Sequence, residues 1–181
     1  MGIGEQFDGL EKKRDEFLRT VFSWTPGQLR FRPTPSAWSA LQVVDHVLKT
    51  ERGIFSEMQT NLPGARKSPF KHRIRGSLLN ALMSSPVRLK VPAAAMIVLP
   101  STTPDLHEMA AAWNTIRRDQ KEWLVSLNQI DSSKGVFRHP VSGWMTPSQS
   151  LGFLSAPLHH HGYQLQRIRR DRSWSTTQAM A

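Results

Sequence analysis

The 181-residue chain contains no cysteine. That excludes a disulfide scaffold, a thiol nucleophile, a thiolate zinc site and an iron–sulfur cluster, and it agrees with a reducing compartment. Long apolar runs are missing too. The longest, Val91 to Leu99, contains Pro92 and falls well short of the roughly 18 residues that mark a spanning helix. The opening stretch Met1 to Phe17 has no apolar signal segment, and Gln6 stands where myristoylation wants Ser or Thr. The expectation is a soluble, cytoplasmic protein with no membrane partner. A glycine-rich phosphate loop and a Gly-x-Ser-x-Gly elbow are absent, and spacing places no acid pair for general acid/base work. Acids are scarce: 14 Asp and Glu face 24 Lys and Arg, a formal net charge of +10. That balance raises nucleic acid or a membrane surface as partners.

What is present reads as one globular domain, with 39% hydrophobic and 21% charged residues. Four segments carry helical period, and no strand signal competes. The first spans about Phe7 to Phe22, with Phe7, Leu10, Phe17, Leu18 and Val21 on its stripe, and Trp24-Thr25-Pro26-Gly27 ends it. The second opens at Ser39, with Gln42 completing a capping box, and carries Leu41, Val44, Leu48, Phe55 and Met58 to about Asn61. Residues 63 to about 102 hold five prolines and at most one short helix near Ser77 to Met83. A connection this long implies a crossover or a functional loop, with Met96 covering one end of the bundle. The third helix follows Thr103-Pro104-Asp105, with Thr103 as cap, and buries Leu106, Met109, Ala110, Trp113, Ile116, Trp123, Leu124 and Leu127. The fourth follows Thr146-Pro147 and carries Leu151, Leu154, Leu158, His161, Leu165 and Ile168. The fold expected is all-α, a four-helix bundle in up-down-down-up order with a long crossover between helices 2 and 3. It occupies residues 1–170 as a single domain, and 171–181 form a polar tail.

Seven histidines are the only imidazole ligands or bases. His161 lies on the leucine stripe of the fourth helix, where a lone histidine is more often a hydrogen-bonded core residue than a ligand. His159 and His160 diverge from it by about 100° per residue, so the triplet cannot jointly hold one ion. His46 falls off the main stripe of the second helix. Periodicity by itself therefore finds no metal site.

Two stretches change that reading. Pro35-Ser36-Ala37-Trp38-Ser39-Ala40-Leu41-Gln42-Val43-Val44-Asp45-His46 resembles the second helix of the DinB-like (damage-inducible), YfiT-like superfamily of metalloenzymes, where a Trp-Ser pair opens the helix and a His follows. His139-Pro140 through Thr146-Pro147, then Phe153 to Ile168, resembles the approach to that family's last helix and the helix itself. The resemblance implies a divalent ion, zinc or nickel, on one His of helix 2 and two His four residues apart on helix 4. It also implies relatives that are thiol-dependent transferases or hydrolases acting on a small-molecule substrate, and often homodimers. Carried over, the ligands are His46 and His161, and the third position, 161 − 4 = 157, is Pro157. Proline cannot ligate, so the third donor is open among His160, His159, His139, Asp45 and Glu51. Alternatively the site is degenerate and the chain is a metal-free, non-catalytic binding or interaction module.

Trp38, Trp113, Trp123 and Trp144 read as core rather than as a stacking platform. Arg167, Arg169, Arg170 and Arg172 complement the carbonyl end of the last helix. Arg66, Lys67, Lys71, His72, Arg73 and Arg75 have no such explanation, but no nucleic-acid signature accompanies them. A nucleic-acid partner is the least favoured reading.

Overall fold

The computed structural model describes residues 2–83, 100, 105–127 and 132–174. Four long helices make the bundle: α1 (Ile3–Phe22), α3 (Ala40–Asn61), α5 (Leu106–Ser126) and α6 (Pro147–Arg169). Each long helix packs on two others, α6 on α1 and α3, α5 on α3 and α1. Every stripe residue expected on the first, second and fourth helices is buried, and Trp113, Val21, Val43, Val44 and Met58 lie at the centre. Three pairings fix how the helices meet. Gln6 and Lys13 of α1 reach Ser148 and Ser155 of α6. On α3, Glu51 meets Trp113 and Phe55 meets Trp123 of α5. Phe17 and Phe22 of α1 meet Trp113 and His107 of α5.

The capping boxes of the second and fourth helices form as the sequence dictates. Ser39 Oγ accepts from Gln42 N at 3.3 Å while Gln42 Oε1 accepts from Ser39 N at 3.1 Å. Thr146 and Gln149 repeat the exchange at 3.3 and 3.2 Å, with Pro147 at the first turn. The third helix is capped by Asp105, whose carboxylate accepts from Glu108 N at 2.9 Å, and not by Thr103. Thr103, Pro104 and Met96 lie outside the described residues.

Several local expectations are corrected. Thr25-Pro26-Gly27 does not only end α1: Thr25 and Gln28 make a third capping box that starts a short helix, α2 (Pro26–Arg30). The helix expected near Ser77 begins seven residues earlier, as α4 (Phe70–Met83), because the Pro69 carbonyl accepts from His72 and Arg73 N–H groups. A two-stranded antiparallel hairpin, β1 (Phe137–His139) with β2 (Gly143–Met145), joins α5 to α6, so the fold is mainly but not purely helical. Three-residue strands are too short to show alternation, which is why periodicity missed them. Gly143 has φ +79°, and a Cβ there would sit 2.9 Å from the His72 ring. Only glycine suits this turn, on backbone and on space. Residues 171–174 stay on the bundle, with Trp174 edge-on to Trp24 at 5.1 Å between ring centroids.

Candidate functional site

Ser39 stops the chain entering α3 at a fixed angle, and Trp38 immediately before it is laid across the first turns of that helix. Its ring centroid is 4.8 Å from that of His46, two turns further on. Across the bundle, His161 of α6 brings its ring edge-on to His46, with centroids 4.9 Å apart, and Trp38 stacks over it at 6.4 Å. His46 is half-buried and His161 is 9% exposed. The two residues carried over as ligands are thus brought together from different helices, although His46 lies off the apolar stripe of its own.

The chemistry of the pair is set by burial. His161 is held well below the usual imidazole range, at about 3, because removal from water penalises its charged form. The hydrogen bond to Gln164 opposes that, and the nearby His46, His160 and Arg167 reinforce it. His161 is therefore neutral at physiological pH. Its Nδ1 lies 2.8 Å from Gln164 Oε1. A carboxamide oxygen can only accept, so the ring carries its proton on Nδ1 and keeps the Nε2 lone pair. That lone pair is the form a metal or a ligand's N–H requires.

The remaining candidate donors are arranged as follows. Pro157, in the third ligand position, is buried inside α6. His160 brings its ring to 5.2 Å from His161, nearly perpendicular to it, and is pushed down by burial, by Arg167 and by His46. His159 is on a different side of α6, in a surface groove against Lys13, Glu16 and Thr20 of α1. His139, on β1, packs its ring 4.8 Å from Phe153, and its Nδ1 accepts from Val141 N at 3.1 Å. Asp45 is buried and paired with Lys49 at 2.8 Å. Glu51 faces α5 instead: it is 2% exposed and accepts from Trp113 Nε1, Arg117 Nη2 and Gln120 Nε2 at 2.9, 2.9 and 3.0 Å. Burial pushes the Glu51 carboxyl up, with the Arg117 guanidinium opposing. Among the described residues, no group of three His, Cys, Asp or Glu is placed to hold a metal ion.

Two site residues escaped the sequence reading. Trp38 packs against the core as expected, but it also lies over the histidine pair, a role that its position just before the Ser39 cap could mark. Gln164, three residues after His161, shares its face of α6, and that spacing was the available signal. Trp113 and Trp123 do pack in the core as expected, the first wholly buried and the second against Phe55.

The chain matches the family model of the DinB superfamily over residues 9–165 and belongs to that superfamily. Among solved structures it is similar to YfiT from Bacillus subtilis, described as a probable metal-dependent hydrolase with an unusual four-helix bundle topology. The identity is 20% and the TM-score 0.59, over 95% of this chain and 88% of that one. No curated protein matches.

Proposed function

We propose that this chain is a DinB-superfamily bundle in which the family's metal centre is reduced to two histidines, and that it acts as a binding module for a small molecule. The observation that carries this is the donor set. His46 and His161 converge, but Pro157 stands where the third donor belongs, and no described Asp, Glu or His completes a triad. Two imidazoles do not meet the three-ligand requirement of a firmly held catalytic zinc. What they and Trp38 offer is a half-buried aromatic cluster with the lone pair of His161. A ligand with a flat apolar face and one hydrogen-bond donor suits it.

Up-down-down-up order is part of this proposal. Its support is that the Gln6–Ser148 and Lys13–Ser155 pairs advance together along α1 and α6, whereas Phe17–Trp113 and Phe22–His107 advance oppositely along α1 and α5. Glu51–Trp113 and Phe55–Trp123 advance together along α3 and α5, which calls for a crossover between them. A homodimer in the cytoplasm is the setting the family resemblance suggests.

The second reading is a divalent-metal-dependent transferase or hydrolase, with zinc or nickel on His46, His161 and a re-oriented His160. The His160–His161 contact favours it, as does YfiT's description as metal-dependent. Metal analysis of protein purified without an affinity tag separates the two. The binding-module reading expects well under one ion per chain, unchanged by His46→Ala or His161→Ala. One ion per chain, lost in either variant, would establish the second reading instead.

A further inference from the structure

Helix α4 carries apolar residues on two sides. Its inward side joins small and polar groups to Leu79 and Met83, which pack half-buried against the core. Gly76 is buried against the Gln149 side chain, Asn80 Nδ2 donates to the Gln149 carbonyl at 2.9 Å, and His72 Nδ1 accepts from Trp144 N at 3.3 Å. Four other large apolar residues face water: Phe70 is 74% exposed, Leu78 66%, and Ile74 and Leu82 46% each. They recur every fourth residue, so they form one ridge along the helix. At about 100° per residue, Lys71 and Arg75 flank that ridge on one side and Arg73 on the other. All three cations are exposed, as are Arg66 and Lys67 just before the helix. Around it, residues 58–104 contain seven Lys and Arg and not one Asp or Glu.

We infer that α4 docks the protein on an anionic lipid bilayer, its ridge of Phe70, Ile74 and Leu78 entering the acyl boundary and its flanking cations meeting lipid phosphates. A helix with apolar and basic sectors of this kind lies in the plane of a membrane interface. Lys and Arg at the sector edge extend their apolar stems inward and keep their charges at headgroup level. The alternatives use half of the feature each. Nucleic acid would engage the cations and leave Phe70 and Leu78 in water. A second copy would bury the ridge but bring two acid-free cationic surfaces together. The absence of a spanning helix among the described residues does not bear on a helix lying on the surface. This site is remote in chemistry from the histidine pair, and its test is independent of metal.

The test is co-sedimentation of the intact protein with vesicles of phosphatidylcholine alone and of phosphatidylcholine with phosphatidylglycerol. Binding is expected on the anionic vesicles only, weakening with salt. Lys71→Ser/Arg75→Ser should lower partitioning about thirtyfold, roughly fivefold per cation. Phe70→Ser/Leu78→Ser should abolish it while leaving the thermal melt unchanged, since both side chains are already in water. Failure to bind anionic vesicles would overturn the inference. So would binding that Phe70→Ser/Leu78→Ser leaves intact, which would mean attraction to phosphate groups alone. A dimer by light scattering that this variant dissolves, without vesicle binding, would assign the ridge to a second copy.

Discussion

At the scale of single residues, His161 joins function to stability. It is neutral in the fold because burial holds its pKa near 3, while in the unfolded chain it titrates near 6.5. The folded pKa is the lower one, so its contribution is fully present above about pH 6.5. It is lost as pH falls toward 3, because the unfolded state takes up the proton first. Stability should fall on acidification by up to about 1.4 kcal/mol per pH unit from this residue, and His161→Gln should flatten that slope in urea melts at pH 7, 6 and 5. An unchanged slope would show that the ring is not buried neutral. Burial lowers His139 and His160 as well, so the variant keeps part of the dependence. Glu51 makes the opposite kind of residue-scale statement. Its pairing with Arg117, at 2.9 Å from Nε and from Nη2, is buried between α3 and α5, with Glu11 of α1 3.4 Å from the same Nε. Removing one partner strands a buried charge, so Arg117→Ala should cost about 3–5 kcal/mol by denaturant unfolding. Glu51→Gln/Arg117→Met should cost much less. Equal losses would mean that packing and not charge carries the site.

At the scale of elements, the caps decide where the site residues stand. Ser39→Ala should destabilise by about 1 kcal/mol and quench less of Trp38's fluorescence contact with His46, because Trp38 sits one residue outside the cap. A variant with lower stability and unaltered fluorescence would detach the cap from the site. Caps and stripes are the legible part of the sequence: the Ser39–Gln42 box and the Thr146-Pro147 cap read correctly because such signals are local and their spacing fixed. The Thr25–Gln28 box has the same spacing and was passed over because Pro26 and Gly27 read as a stop. The start of α4 and the 137–145 hairpin were illegible for a different reason. Both depend on contacts distant in sequence, His72 with Trp144 and Ser68 Oγ with the Trp144 carbonyl at 2.7 Å. Gly143→Ala should therefore be costly beyond its one methyl, through strain at φ +79° and collision with His72, and calorimetry should show a Tm several degrees lower.

At the scale of the molecule, a bundle with an intact core holds the histidine pair that the proposed function reads as a reduced family site. Residues 9–165 belong to the DinB superfamily, and the core stripes that specify the bundle are complete. The encounter of His46 with His161 could not be read from periodicity, because His46 is off its stripe and only the packing of α3 on α6 turns it inward. The vacancy at 157 could be read from one residue, since proline has no donor to offer. What the pattern could not supply is how the neighbours stand: Glu51 pairs with Arg117, Asp45 with Lys49, His139 Nδ1 accepts within its own turn, and the His160 ring lies 5.2 Å from that of His161.

The most direct measurement is a zinc titration by calorimetry of the intact protein beside its Pro157→His variant. That substitution restores two imidazoles one turn apart on α6 and gives back the backbone N–H that proline lacks. The account predicts weak or no binding by the natural chain and one tightly bound zinc per chain in Pro157→His. Tight stoichiometric zinc on the natural chain, lost in His161→Ala, would contradict it.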